Sequence, residues 1–503
     1  MIQNNTKIPI TLSPGRSRNR LVPKIVEKDW DYVIDRTVLC PGEVSEWIEV
    51  NLYGTTERLL PLHIACCLCP PTNVIDALLK ADFETVSLQD ANGRLPLHMA
   101  CDVERSSIGV VKKLLHAYPK GAHVKEMRFG FLPLHAACCK GKQRVNENVN
   151  KEDRNSDLQH EIVKELVRVH PNGIKEKDNK GWSPLAVACR TGVTLQVIQT
   201  LLNEYPNAAK DVDPEMRMPI HLALCARQNQ DETIHIAKIL LDANPRSLMR
   251  QERQFGFLPL HVACTFSGIS PNVELIQMLI KEYPKACQVS DARGSLPLHL
   301  ACRAGAPTSI IQQLIINYSR GARHKDGENR LPLHWACHLN LSKNIISILL
   351  DAYPMGVQQA ERKYKFLPLH VACLRGASDT LIKTLLDAFP EAASIQDING
   401  CLPLHVACKS SGGISKEAAK TLINAYPKAL HETDYMDRTP LTLAKETKKR
   451  NNKLDMIEIL NEISSNPRLN SMMDANFPYT LTTNQHTGRK EISNDLAYLT
   501  SSR

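Results

Sequence analysis

A proline followed at fixed offsets by histidine, alanine and cysteine recurs along this chain at Pro61, Pro96, Pro133, Pro184, Pro219, Pro259, Pro297, Pro332, Pro368, Pro403 and Pro440. Alanine stands four residues after the proline in all eleven copies, histidine two after it in nine, and cysteine five after it in nine. Most gaps are 35 to 40 residues. The exception, 51 residues from Pro133 to Pro184, holds the polar stretch GKQRVNENVNKEDRNSDLQH at 141–160, expected to be an exposed loop insert. A unit this small cannot bury its apolar face alone and must stack on its neighbours, so the repetition points to a solenoid. Length alone would have allowed three or four ordinary domains.

Each unit reads as two antiparallel helices and a turn. Proline suits the first position of a helix, where its missing N–H would be unpaired anyway. A short first helix (PLHVAC in several copies) runs toward glycine, as at Gly192, Gly305 and Gly376. The second helix carries paired apolar residues four apart, such as Ile345-Ile346 with Leu349-Leu350 and Leu381-Ile382 with Leu385-Leu386. That is one buried stripe at helical period. It stops at an aromatic-proline pair, as at Tyr118-Pro119, Tyr283-Pro284 and Phe389-Pro390, because proline cannot continue a helix interior. An Asp-x-x-Gly turn, seen at Asp90–Gly93, Asp178–Gly181, Asp291–Gly294 and Asp397–Gly400, leads into the next proline.

The words D-x-x-G-x-L-P-L-H-x-A-C, repeated over roughly residues 54 to 465, closely resemble the ankyrin repeat family's D-x-x-G-x-T-P-L-H-x-A-A. Two features depart from that pattern. Leucine mostly replaces threonine before the proline (Leu95, Leu132, Leu258, Leu296, Leu331), and the units are about two residues longer. The resemblance implies an all-α solenoid of about eleven helix-turn-helix repeats joined by short hairpin turns. It also implies that the motif histidines are structural, bonding backbone near the turns: His63, His98, His135, His221, His261, His299, His334, His370 and His405. The two repeats that keep a hydroxyl before the proline, Ser183 and Thr439, are the two without histidine (Ala186, Thr442).

A histidine three residues before a cysteine also invites a metal or thiol-base reading. Structural zinc needs four ligands at about 2.0–2.3 Å, whereas stacked helices lie roughly 10 Å apart, so neighbouring pairs cannot complete one another's shells. A packed apolar slot raises a thiol's pKa and does not activate it. No metal and no cofactor is therefore expected, and the cysteines read as small hydrophobes. The less regular thiols, including Cys66-Cys67-Leu68-Cys69, keep open the alternative of a redox- or metal-responsive regulatory protein. No phosphate loop, nucleophile elbow or zinc-protease helix occurs, so no catalysis is expected.

Composition narrows the setting. The 16 cysteines are far too sparse for a disulfide scaffold, and the polar, basic start MIQNNTKIPITLSPGRSRNR is unlike a secretory leader. Reduced thiols in the cytoplasm, with the nucleus as a second possibility from the basic run KETKKRNNK at 445–453, are the expectation. No apolar run approaches the ~18 residues of a membrane span. A formal charge of +9 on 503 residues is too diffuse to argue for specific nucleic-acid binding.

If the framework is inert, recognition falls to positions it leaves free. The residue two before each proline is a turn tip, and eight of the eleven are Arg, Phe or Trp: Arg94, Phe131, Trp182, Arg217, Phe257, Arg330, Phe366 and Arg438. Interfaces favour these residue types. Repeats three, six and nine share the variant MRFGFLPLH, RQFGFLPLH and RKYKFLPLH, in which Met127, Arg253 or Arg362 stands where other turns have aspartate. Each adds a second aromatic, pairing Phe129 with Phe131, Phe255 with Phe257 and Tyr364 with Phe366. The aromatic pairs thus recur every three repeats, on the order of 30 Å apart. They either bind or merely pack across their own turns.

The expected organisation is a disordered tail at 1–25, a degenerate capping unit at 26–53 with Trp30 and Trp47 over the first repeat, the array at 54–465, and a disordered tail at 466–503. The expected role is a monomeric, non-catalytic scaffold or adaptor whose turn tips and concave face hold a protein partner, extended or repetitive in form.

Overall fold

The computed structural model describes residues 10–12, 19–52, 54–102, 107–139, 152–226, 230–265, 272–410, 413–451, 457–458 and 460–462. Every motif proline opens a helix, from Pro61–Cys67 and Pro96–Cys101 through Pro403–Lys409 to Pro440–Asn451. The second helices end one residue short of the aromatic-proline pair. Ile108–Ala117, Val273–Glu282 and Asp379–Ala388 are followed by Tyr118, Tyr283 and Phe389 as C-caps. The proline then starts a single turn of 3-10 helix, such as Pro119–His123 or Pro390–Ser394. The residues that lengthen the repeat are therefore ordered.

First helices pack on first helices of the next unit, and second helices on second helices, along the array. The paired apolar stripe lies between them: Val74, Ile75 and Leu78, then Leu381, Ile382 and Leu385, are almost fully buried in one continuous core. The motif alanines and cysteines sit in the same layer, with Ala188, Cys189, Ala301, Cys302, Ala336, Cys337, Ala372 and Cys373 fully buried. Small side chains at these positions let adjacent helices approach closely.

The turns are stitched into a ladder. An amide in each turn donates to a carbonyl in the preceding one: Met127 to Asn92 (2.7 Å), Asn179 to Phe129 (2.8 Å), Arg253 to Glu215 (2.7 Å), Ala292 to Phe255 (2.8 Å) and Gly327 to Arg293 (2.8 Å). The series continues with Arg362 to Glu328 (2.8 Å), Ile398 to Tyr364 (3.0 Å) and Tyr435 to Asn399 (3.0 Å). Between the fourth and fifth repeats the equivalent residue is Pro214, which has no N–H to donate. There the Trp182 Nε1–H bridges to Asp213 at 3.1 Å instead.

The leading unit is larger than the span 26–53 expected from sequence. Helix α1 (Leu21–Glu27) starts inside the stretch expected to be a disordered tail, and Leu21, Val22 and Ile25 are buried. It packs on the first helix of repeat one, while α2 (Trp30–Leu39) packs on the second, so the unit stacks like a further repeat. Strands β1 (Ile10–Leu12), β2 (Ile48–Leu52) and β3 (Thr55–Leu59) form a small antiparallel sheet beside it. Among the described residues this sheet is the one departure from an all-α chain. Asn19 starts α1 by accepting from the amides of Leu21 (2.9 Å) and Val22 (3.0 Å). The Trp47 ring lies 5.9 Å from that of His63, and Trp30 packs against the core.

The insert expected at 141–160 is also partly helical. The second helix of repeat three runs Glu152–Val169, against ten residues in most other units, with the added residues at its N-terminal end and the Gln159 side chain donating to the carbonyl of Ala137 at 2.8 Å. Residues 141–151 of the insert, and the tail 466–503, lie outside the described residues.

Candidate functional site

The histidines are the hinge between scaffold and tips. In eight repeats the ring Nδ1 accepts from the backbone N–H of the residue before the motif proline. Examples are Leu95 to His98 (3.0 Å), Leu132 to His135 (3.2 Å), Leu331 to His334 (3.0 Å) and Leu402 to His405 (3.2 Å). The Nε2–H then donates to a carbonyl of the next turn: His63 to Arg94 (3.1 Å), His98 to Phe131 (3.1 Å), His135 to Trp182 (3.2 Å), His334 to Phe366 (3.3 Å) and His370 to Cys401 (3.3 Å). One ring thus caps its own helix and ties the following tip. The two repeats without histidine solve the first problem differently, since Ser183 and Thr439 hydroxyls accept from the amides of Ala186 (3.4 Å) and Thr442 (3.3 Å). The hydroxyl and the imidazole thus serve different amides at the same helix start.

Burial holds these rings neutral. Loss of water lowers His98, His135, His261, His334 and His370 to a pKa of about 4, against an ordinary 6.5, even though the carbonyls they face push the other way. Burial likewise pushes the Cys67, Cys139 and Cys401 thiols up to about 12 and Cys287 up to about 11, and raises the motif thiols Cys101, Cys189, Cys302 and Cys373 as well. Among the described residues no group of three or more His, Cys, Asp or Glu is placed to hold a metal ion. In the native protein, a disulfide reagent at neutral pH is expected to modify exposed Cys225 and half-buried Cys40 and Cys69 first, with the motif thiols reacting only after denaturation. Rapid native titration of most of the 16 thiols would contradict this burial.

At the tips, the four arginines face inward. Arg94, Arg217, Arg330 and Arg438 each bend back onto the aspartate four residues earlier, with Nε to Oδ2 distances of 2.7, 2.8, 2.9 and 3.0 Å to Asp90, Asp213, Asp326 and Asp434. They are half-buried braces, and they occupy repeats two, five, eight and eleven. The three-repeat period therefore includes arginines as well as aromatics.

The aromatic turns keep their acid, contrary to the expectation that Met127, Arg253 and Arg362 replace it. It has moved back one residue and become glutamate: Glu126, Glu252 and Glu361, all buried. Each turn is one residue longer, and the longer side chain reaches across it. Glu126 accepts from the amides of Arg128 (2.8 Å), Phe129 (2.5 Å) and Phe131 (3.1 Å). Glu252 does the same for Gln254 (2.7 Å), Phe255 (2.6 Å) and Phe257 (3.0 Å), and Glu361 for Lys363 (2.8 Å), Tyr364 (2.5 Å) and Phe366 (3.2 Å).

The two aromatics of each pair have different surroundings. Phe131, Phe257 and Phe366 lie nearly parallel over His135, His261 and His370 at 5.6, 5.8 and 5.6 Å. Phe257 and Phe366 also pack against the core. Phe129, Phe255 and Tyr364 rest on these inner rings at 5.5, 5.3 and 5.3 Å, and Phe129 is 37% exposed. Cations cover two of the three outer rings: Arg128 lies 5.0 Å and Lys180 5.8 Å from Phe129, and Lys363 lies 4.9 Å from Tyr364. Trp182 is similarly flanked by Arg190 at 4.6 Å and Arg217 at 6.0 Å. Sequence reading missed Trp335, a first-helix residue with Arg330 at 4.5 Å and Arg303 at 5.3 Å from its ring. It follows the motif histidine directly, a position held elsewhere by Ile, Met, Ala, Leu or Val, and carries no pattern to flag it.

Stacked helix pairs with laddered turns define a helical repeat solenoid. Residues 154–248, 298–392 and 369–471, together more than half of the chain, match the family model for ankyrin repeats (3 copies). The chain belongs to the ankyrin-repeat family. Ankyrin repeats are generally protein–protein interaction modules. No helix among the described residues is long and apolar enough to cross a membrane.

Proposed function

We propose that this protein is a non-catalytic scaffold that holds an extended protein partner along its turn tips and the adjoining face of its first helices. The observation that carries this reading is the outer aromatic of each pair. Phe129 is exposed, and Phe255 and Tyr364 half-buried, on turns whose backbone is fixed by a buried glutamate and the inter-repeat ladder. Rigid aromatics with cations beside them lose little conformational freedom on binding. The inner rings and the four arginines act by holding that surface in place.

The division of labour is testable. Replacing Phe129, Phe255 and Tyr364 together with serine is expected to abolish capture of a partner from native lysate while shifting the melting temperature by no more than ~2 °C. Replacing Phe131, Phe257 and Phe366 is expected to lower stability by about 1–3 kcal/mol per site, because each leaves a buried imidazole without its ring neighbour. Equal melting losses in the two variants would sink the distinction.

A further inference from the structure

One stretch of this face, from repeat seven to repeat ten, carries a charge imbalance that the scaffold does not use. Arg303 and Arg330 flank the half-buried Trp335 at 5.3 and 4.5 Å. His338 follows on the same helix with its ring 5.7 Å from Trp335, and its carbonyl accepts from the Arg375 Nε at 3.3 Å. Arg303 and Arg375 are exposed, and among the described residues neither forms a salt bridge. Three of the nearby turn acids are turned inward, while Glu328 at the tip of its turn is exposed. Asp291, Asp326 and Glu361 are buried and committed to their own turns, Asp291 to the amides of Arg293 (2.8 Å) and Ser295 (2.7 Å), and Asp326 to that of Glu328 (2.9 Å) and the Arg330 side chain (2.9 Å).

The excess positive charge shows in the neighbouring groups. Burial, then the charges of Arg293 and Arg330, lower the Arg303 guanidinium, and burial followed by Arg375, Arg330 and Arg303 lowers His338 to about 4. Directly beyond Arg375, a notch between repeats nine and ten is lined by Tyr364, Phe366, Leu374, Cys401, Val406 and Lys409, together with Asn399 and a buried Asp397 whose carboxylate is taken by the amides of Asn399 (2.7 Å) and Cys401 (2.9 Å). It is open because Cys401 stands where repeats eight and eleven carry the long side chains Arg330 and Arg438.

We propose that this surface takes an acidic peptide segment, its carboxylates on Arg303 and Arg375 beside Trp335 and one apolar side chain in the adjoining notch. Guanidinium groups pair with carboxylates in a fork geometry and stack on aromatic faces, and both features are present here. A narrow notch with two aromatic walls and two aliphatic ones suits an aliphatic side chain, which a nucleic-acid backbone cannot supply. The inference deepens the scaffold reading and rests on it, but a synthetic ligand tests it separately.

The test is fluorescence anisotropy of the full chain with a labelled peptide of about ten residues, enough to cross ~30 Å, made of glutamates around one leucine. Binding is expected to weaken with salt, and by about tenfold when the leucine is replaced with serine. The pair Arg303→Glu and Arg375→Glu is expected to weaken it by at least about tenfold. The pair Arg320→Glu and Arg323→Glu makes the same change in net charge at exposed positions on the single-turn helix Ser319–Arg323, and is expected to cost less than about twofold. Equal losses in the two pairs, no binding of the peptide, or duplex DNA competing as tightly as the peptide would each overturn the proposal. Failure here leaves partner capture through the outer aromatics intact, and loss of that capture leaves the peptide titration readable.

Discussion

Acidification from pH 6.5 toward pH 4 is expected to unfold the array well before its carboxylates titrate as a group. His63, His98, His135, His221, His261, His299, His334 and His370 all have folded pKa values near 4 because burial excludes the charged ring. In the unfolded chain the same rings return to about 6.5. Between those values the unfolded state binds more protons, so the stability these rings contribute is complete above pH 6.5 and drains away as pH falls to 4. Each contributes a slope of about 1.4 kcal/mol per pH unit in the middle of the window. Several acting together exceed the ~5–15 kcal/mol that stabilises a typical domain. Circular dichroism against pH is expected to show a cooperative loss of helix near pH 5. The denaturant midpoint should already fall between pH 6.5 and 5.5. Replacing His334 with glutamine, which keeps a donor and an acceptor but cannot be protonated, is expected to shallow that dependence. A midpoint flat across the window would mean the rings are charged or open to water in the folded state.

Glu252→Ala is expected to cost on the order of 3 kcal/mol, because it strips the acceptor from three amides of one turn, those of Gln254, Phe255 and Phe257. Glu252→Asp should recover only part of this, since a side chain one methylene shorter cannot span a turn one residue longer. Glu252→Gln should recover more, keeping the reach while giving up the charge-assisted bond. Each repeat touches only its neighbours, so the damage should be local. Hydrogen exchange is expected to speed first in repeats five to seven, with the terminal repeats unaffected. An unchanged exchange pattern would show that the turn holds its shape without the carboxylate.

The array was legible because proline, alanine and apolar pairs each report a backbone requirement at a fixed offset. All eleven prolines open helices, and the aromatic-proline pairs end them, as their spacing demands. The tips were harder to read. Counting back from the proline finds aspartate in most repeats but steps past Glu126, Glu252 and Glu361, because a one-residue longer turn moves the acid out of register. The inner and outer aromatics have the same residue types in the same phrase, and only the position of the histidine ring beneath one of them separates their surroundings. The arginines looked like anchors because side-chain type says nothing about direction; the aspartate four residues before each one sets it. At the leading end, three strands of three to five residues and a helix start at Leu21 carry no repeat signal at all.

The threefold recurrence of glutamate-braced aromatic pairs gives the surface a translational near-symmetry. A ligand that reads only those pairs meets three equivalent stations and can dock in more than one register. What breaks the degeneracy is the tip that follows each station, Trp182 after the first, Ser295 after the second and Cys401 after the third. A half-buried indole and two buried small side chains leave different amounts of room beside otherwise matching stations, so the three registers are not interchangeable.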